Sequence, residues 1–357
     1  MIRDAIIITG SAWDAFNIPE RLARAVTMLG ARVLYCGSPV SRFKQGEEPL
    51  AELEPGIHGF VPHLFGHRLN HWFVAAQIQS WSIANQIVRN AERLMLRDPI
   101  VLYPYMERLL PVCAELKRRG YYLVHVSGDH PQPNLLEHVS MADQTMAVIR
   151  TSFHPLRARF GDKIHFLPEL ATSLADQARL SEDTTQHAVL AGIPRPRLTY
   201  LGSPQSRLHS DLLRGILTAR PDWHFVHFGS TNDHGLRNSH GLSWMSKDAL
   251  AGVLAGTDVG FMPYDCRVER DFHCVPLKLF DYFAAGLPVV STPIICLWEM
   301  GDLAYLGDTA RELICAVEAA LAEPSDSPKR ARRKQVAREH SLENIAALLG
   351  SVLPLKG

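Results

Sequence analysis

Asp258-Val-Gly-Phe-Met-Pro-Tyr264, followed after a short loop by Cys274-Val-Pro-Leu-Lys-Leu-Phe-Asp-Tyr-Phe-Ala-Ala-Gly-Leu-Pro-Val-Val-Ser-Thr-Pro293, reads as strand, helix, strand. Val259–Met262 is a short apolar run of the kind buried on both faces of a parallel sheet. A helix is expected over Leu277–Ala285, with Pro276 at its first position, where a missing N–H costs nothing. Gly286 is placed to close it, and Val289–Val290 begins the next strand. Lys278 falls in the first helical turn, where a cation opposes the macrodipole. A lysine beside free backbone N–H groups instead makes an anion site, which a diphosphate would fill. Asp281, one turn on, can reach a hydroxyl-bearing part of the same ligand. The competing reading of Lys278 and Asp281 is a solvated i,i+3 ion pair.

Outward from this stretch the same alternation continues. Upstream lie strand Leu198–Leu201, helix Asp211–Ala219, strand His224–Phe228 and helix Lys247–Leu254. At the other end of the chain, Ala5–Ile8 is an apolar run ending at Thr9-Gly10. Asn17 and Glu20 form a capping-box pattern before a helix that Gly30 ends, and Arg32–Cys36 follows as a strand. Helical spacing from Val74 to Met95, strand Ile100–Tyr103, helix Leu109–Lys117 and strand Tyr122–Val126 complete this half. Such alternation predicts mostly parallel sheets covered by helices. Ala171–Arg197 is polar, holds Pro194 and Pro196, and reads as a passage between domains with room for one short helix.

The expected architecture is therefore α/β, with two facing Rossmann-like domains and a cleft between them. The boundaries drawn are 1–185, 186–335, and a C-terminal helix over 336–357 that could cross back to the first domain. Ligands of such sheets bind outside the carboxyl ends of the strands.

Composition narrows the function. The 357 residues are 46% hydrophobic and 21% charged, with 37 basic residues against 37 acidic ones. That balance argues against a dedicated nucleic-acid binder. The six cysteines form no C-x-x-C pair and read as reduced thiols. No secretory leader and no apolar run near the ~18 residues of a spanning helix is evident. The expectation is a cytoplasmic protein, meeting a membrane only from its inner surface. A P-loop, a G-x-S-x-G elbow, H-E-x-x-H and G-x-G-x-x-G are all missing.

The 258–293 stretch resembles the nucleotide-binding signature of GT-B glycosyltransferases, especially family 4-like enzymes of bacterial surface-polysaccharide synthesis. Those carry a Pro-x-Lys run leading to Glu-Tyr, Ala-x-Gly and Pro-Val. The resemblance extends through Arg197-Leu-Thr-Tyr-Leu-Gly202, Arg207, Asp211-Leu-Leu, Arg220–Gly229, Asn238–Gly241 and Leu254–Tyr264, over about a hundred residues in the right order. In the N-terminal half it is looser, resting on Ile6–Gly37, Tyr103-Pro104, Tyr122–Asp129, Glu137 and Ala142-Asp143.

The resemblance implies transfer of a sugar from a nucleotide-diphosphate donor to a glycan or lipid-linked acceptor. Donor contacts are expected from Gly10, Ser11, Arg207, Gly229, Pro276, Leu277, Lys278 and Asp281. The family often shows Glu-x7-Glu, the first touching the sugar and the second the ribose. Here the pattern is His273-x7-Asp281, which leaves the sugar contact and the stereochemical course open. Inversion needs a base for the acceptor hydroxyl, and Asp129 with His130 is the candidate. No Asp-x-Asp occurs, so no metal and no cofactor is expected. A non-catalytic GT-B protein that binds a nucleotide sugar or a partner transferase, and a nucleotide-sugar epimerase, remain as alternatives.

Two further features stay open. His63, His67 and His71 are spaced four apart, as metal ligands on a helix would be. With Phe65, Arg68, Trp72 and Phe73 they form an aromatic and basic cluster that suits an acceptor or a membrane interface, or simply a helix start. Lys329–Lys334 is a basic run that suits either a solvated helix face or peripheral contact with anionic lipid.

Overall fold

The computed structural model describes residues 3–9, 13, 18–41, 50–64, 73–104, 109–128, 134–182, 185–202, 207–231, 234–243 and 246–355. The chain divides into two compact units, Met1–Leu170 with Leu342–Gly357, and Ala171–Ser341.

The first unit runs β1 (Ala5–Ile8), α1 (Ile18–Met28), β2 (Val33–Cys36), β3 (Val40–Ser41), β4 (Ala51–Glu54), β5 (Ile57–Phe60), β6 (His63–Leu64) and α2 (Phe73–Arg93). It continues with β7 (Ile100–Pro104), α3 (Leu110–Arg118), β8 (Leu123–Val126), α4 (Leu135–Met141), β9 (Gln144–Ala147), α5 (Arg150–Phe160) and β10 (Ile164–Phe166). Its main sheet has the order β10-β9-β8-β7-β1-β2-β5-β4. All pairs are parallel except the β4–β5 hairpin at the edge. β1, β2 and β8 are buried at every residue, as strands covered on both faces must be. Gly30 (φ +85°) ends α1 in the left-handed conformation that glycine adopts without a Cβ penalty.

The second unit comprises α6 (Leu174–Glu182), β11 (Arg197–Tyr200), α7 (Ser210–Ala219), β12 (His224–Phe228), β13 (Ser239–Leu242), α8 (Lys247–Ala255) and β14 (Val259–Met262). Then come α9 (Glu269–Phe272), α10 (Lys278–Ala284), β15 (Val289–Ser291), α11 (Ile295–Trp298), β16 (Ala304–Leu306), α12 (Ala310–Leu321) and α13 (Pro328–Glu339). The sheet order is β13-β12-β11-β14-β15-β16, parallel throughout. The order reverses between β11 and β14, which makes their carboxyl ends the topological switch point where such sheets take ligands. Trp223, Phe225, Phe261, Phe280 and Phe283 are among the fully buried side chains of this unit's core.

The boundaries differ from those drawn on sequence. Residues 171–185 belong to the second unit, because α6 packs on α8, α10 and α13. Gln177 fixes it there by donating to the carbonyls of Thr172 (3.0 Å) and Ala337 (2.9 Å). At the other end, α13 stays with the second unit through its packing on α10, so the return begins at Leu342 rather than 336. The returning helix α14 (Leu342–Val352) packs on α1, and Gln144 donates to the Val352 carbonyl at 3.0 Å.

Candidate functional site

The switch point of the second unit is built from two strand ends and one helix start. β11 leaves its sheet at Tyr200-Leu201-Gly202, and β14 at Met262-Pro263-Tyr264. The Tyr200 and Tyr264 rings meet edge to face at 6.1 Å. Above them sits Lys278, with Nζ 3.6 Å from the Tyr200 ring centroid and 5.9 Å from that of Tyr264. This is a cation–π contact on two faces of the same mouth. Gly202 has φ +120°, and a Cβ there would stand 3.1 Å from the Lys278 Nζ. The backbone conformation favours glycine, and a Cβ would also press on the amine.

The electrostatics of the mouth are unusual for a helix start. Lys278 is half-buried as a residue, but its amine is enclosed, and burial pulls its pKa down to about 7. The Arg207 charge adds to that fall, while Cys274 and Asp281 oppose it. Arg207 is held close because its carbonyl accepts the Asp265 N–H at 2.9 Å and its neighbour Leu208 bridges to Tyr264. Asp281 is only 8% exposed, so Lys278 and Asp281 do not form a solvated surface pair. Two cationic side chains brought together in a partly desolvated mouth repel each other, and an anion between them relieves that repulsion.

The surrounding scaffold is rigid. Ser291 Oγ donates to the Met262 carbonyl (2.8 Å) and Thr292 Oγ1 to that of Tyr264 (2.9 Å), which fixes the end of β14. Helix α10 ends in a Schellman motif: the Gly286 N–H reaches Phe283 O and the Leu287 N–H reaches Tyr282 O, both at 2.9 Å, with Gly286 at φ +74°. On the same helix the buried Phe280 stacks on His340 at 4.4 Å. The Tyr282 hydroxyl accepts from the Leu201 N–H and donates to the Thr199 carbonyl, both at 2.9 Å.

Arg207, Lys278 and Asp281 thus meet at one place, with Pro276 and Leu277 leading into it. One detail is corrected: Leu277 is the N-cap of α10, so Pro276 precedes the helix instead of occupying its first position. The Pro276 carbonyl accepts the Leu279 N–H at 2.9 Å in the turn before the helix. Gly229 (φ +93°) ends the neighbouring strand β12 and donates to Leu242 O at 2.9 Å. His273 lies at the end of α9, its N–H on Glu269 O at 3.1 Å and its ring edge to face with Phe272 at 5.2 Å. Gly10, Ser11, Asp129 and His130 lie outside the described residues.

Tyr200, Gly202, Tyr264 and Tyr282 stand in the motif stretches but had no role assigned from sequence. The signal available was aromatic residues at two strand ends flanking one lysine, but only the strand order brings them together. In the first unit a second buried polar group was also missed. His125 on β8 is fully buried and stacks on His138 (5.1 Å), beside Tyr103 (5.3 Å). Burial first, and then His138, push the His125 pKa down to about 3, so it is a neutral core histidine at physiological pH.

Of the histidine trio, His63 lies in strand β6, so helical alignment does not apply to it; His67 and His71 fall outside the described residues, as do Phe65, Arg68 and Trp72. Among the described residues no group of three His, Cys, Asp or Glu could hold a metal ion. No described helix is long and apolar enough to cross a membrane. The basic run on α13 is largely used internally. Arg333 is fully buried on Glu323 (2.6 and 2.7 Å), Lys329 meets Asp302 (3.3 Å), Arg332 meets Glu339 (3.0 Å), and Lys334 donates to Ser181 Oγ (2.5 Å).

Two parallel-sheet units of this kind in one chain make up the fold of the GT-B class. Solved structures of that class share the fold across the whole chain. The E. coli trehalose-6-phosphate structure bound with UDP-2-fluoro glucose is 13% identical, covers 98% of both chains and has a TM-score of 0.68. The UDP-forming alpha,alpha-trehalose-phosphate synthase of Burkholderia xenovorans is 12% identical over 99% of this chain and 100% of that one, with a TM-score of 0.68. The calicheamicin glycosyltransferase CalG4 is 15% identical over 99% of each, with a TM-score of 0.54.

In sequence, residues 207–350 match the family described as glycosyl transferase-like, and that region holds Arg207, His273, Lys278 and Asp281. The Bacillus subtilis (strain 168) protein TuaH, whose name assigns it to teichuronic acid biosynthesis as a glycosyltransferase, is 25% identical over 171 residues. The match spans 44% of this chain and 43% of that relative's length. The chain is thus similar to glycosyltransferases in fold over its whole length and in sequence over less than half of it.

Proposed function

We propose that this protein transfers a glycosyl group from a nucleotide-diphosphate sugar to a glycan or lipid-linked acceptor, without a metal ion. The observation that carries the reading is the Lys278 amine held over Tyr200 and Tyr264 at the β11/β14 switch point, with Arg207 beside it. Departure of the diphosphate leaves negative charge that must be stabilised, and fixed cations in a desolvated mouth do this with little reorganisation. Lys278 and Arg207 hold the diphosphate, and Asp281 accepts hydrogen bonds from the ribose hydroxyls. Two protein cations take over the charge neutralisation that a divalent ion supplies in other transferases. Gly10, Ser11 and Gly229 complete the donor contacts. Asp129, oriented by His130, takes the proton of the acceptor hydroxyl. The likeness to TuaH supports a surface-polysaccharide acceptor, and work at the cytoplasmic face of the membrane is part of the same proposal.

His273 favours a second reading. It stands where the family has a glutamate that touches the sugar, and its ring leans on Phe272. A chain with this substitution could bind the nucleotide sugar without turning it over. The discriminating experiment incubates the protein with UDP-, GDP-, ADP- and dTDP-sugars, with and without added glycan and glycolipid fractions. Nucleoside diphosphate released only with acceptor supports transfer. Binding without release supports the second reading, and a new sugar epimer overturns both.

A further inference from the structure

The pairing of β11 with its two neighbours is unequal. With β12 it continues to Tyr200–His227, but with β14 it stops at Thr199–Gly260. The ladder with β14 ends one residue sooner, and beyond it the Leu201 N–H bonds to a side chain in place of a strand carbonyl. The Tyr282 hydroxyl takes its place, accepting from Leu201 N and donating to Thr199 O, each at 2.9 Å. The ring reaches this spot by lying against the backbone of Gly260. A Cβ on Gly260 would come within 2.6 to 3.0 Å of three Tyr282 ring carbons. Tyr282 is fully buried, so its hydroxyl has no water to exchange with and these two bonds fix it.

Tyr282 stands four residues after Lys278, and positions i and i+4 share one helix face. The hydroxyl is tied to Leu201, while the Lys278 Nζ lies 3.1 Å from the Cβ position of the adjacent Gly202. We infer that Tyr282 is a positioning residue: its hydroxyl, seated where the β11–β14 ladder ends, sets the height of α10 on the strand end and so places the Lys278 amine for the diphosphate. The ligand rests on the function proposed above; the placement of the amine rests on the geometry alone. Packing of α10 on α13 and the Phe280–His340 stack hold the helix against the domain in any case. What the hydroxyl adds is register along the strand, which a ring without it would not supply.

The test is Tyr282→Phe in the full chain, with two readouts. The first is calorimetric affinity for whichever of UDP, GDP, ADP and dTDP the wild type binds best. The second is the pH midpoint of Lys278 acetylation by pulsed acetic anhydride, read by peptide mass spectrometry. The expected result is a cooperatively folding variant with about tenfold weaker nucleotide binding, the loss of one hydrogen bond's worth of placement. The acetylation midpoint should move from about 7 toward the ordinary lysine value as the amine leaves its enclosure. Gly260→Ala keeps the hydroxyl but displaces the ring, should reproduce both changes, and decides the matter if the phenylalanine variant does not fold. A folded variant with wild-type affinity and an unmoved midpoint overturns the inference. A wild type that binds none of the four nucleotides overturns the proposed function, and the unmoved or moved midpoint then judges the placement separately.

Discussion

The Lys278 amine lies 3.6 Å from the centre of the Tyr200 ring, at the end of the strand where the second sheet reverses its order. If Lys278 holds the diphosphate as proposed, the ligand controls the charge state of the amine. Burial and Arg207 lower its pKa to about 7; a bound diphosphate places negative charge beside it and raises the value again. Above pH 7 the free protein has lost this proton and the complex regains it. Nucleoside-diphosphate binding should therefore take up close to one proton at pH 8, and affinity should fall by up to tenfold per unit as pH rises from 7 to 9. Titration calorimetry in two buffers of different ionisation enthalpy measures the uptake. Binding without proton uptake across this range contradicts the assignment, and Lys278→Met should abolish the linkage.

The strand-helix-strand reading of 258–293 gave Lys278, Asp281 and Gly286 their places, because apolar runs and helix-end glycines are local signals. The aromatic cradle was not legible. Tyr200 and Tyr264 are 64 residues apart, and only the 11-14 adjacency in the sheet order joins them. Strands β9 and β13 escaped notice for a different reason. Gln144-Thr-Met-Ala147 and Ser239-His-Gly-Leu242 are too polar to read as apolar runs, and their pairing with a buried neighbour makes them strands. The polar passage 171–197 misled because its anchors, Gln177 among them, are side chains that bond to backbone far along the chain.

Asp281 is buried beside the mouth, and Asp281→Ala should leave the fold intact while weakening nucleotide binding. Losing a charged acceptor costs about 1.5–3 kcal/mol, or roughly ten- to a hundredfold in affinity. Calorimetry with the preferred nucleoside diphosphate, beside a melting curve of the same preparation, checks both halves of this expectation. Unchanged affinity in a folded variant removes Asp281 from the donor site.

Arg333 concerns stability alone. It is fully buried, holds Glu323 through two bonds and donates to Leu303 O at 2.8 Å. Arg333→Ala leaves a nearly buried carboxylate without its paired guanidinium and should cost about 3 kcal/mol. Burial would raise the Glu323 pKa, but Arg333 and the Tyr305 hydroxyl outweigh it and hold the value low. The group binds fewer protons folded than unfolded, so its stabilisation is present above the ordinary glutamate pKa and fades as pH falls through the lowered one. Urea melts of wild type and Arg333→Ala between pH 3 and 7 should converge toward the acid end; a constant difference contradicts the pairing.

Asp129 follows β8, in the first unit, and is proposed to act on the acceptor hydroxyl. A general base contributes typically about 10²–10⁴-fold. Asp129→Asn should reduce turnover by that factor and leave donor affinity nearly unchanged, since the proposed diphosphate ligands Lys278 and Arg207 belong to the second unit. If Asp129 only shapes a turn, asparagine serves equally well and turnover stays near wild type.

The central claim is that two protein cations at the β11/β14 mouth do the work of a metal in releasing the diphosphate. It is tested most directly by measuring acceptor-dependent release of nucleoside diphosphate in excess chelator, for wild type and Lys278→Met side by side. The account predicts full wild-type release in chelator and at least a tenfold loss in the variant, the value of one charge-assisted contact. Release that collapses in chelator and returns only with magnesium or manganese, or a Lys278→Met protein as active as wild type, would contradict it.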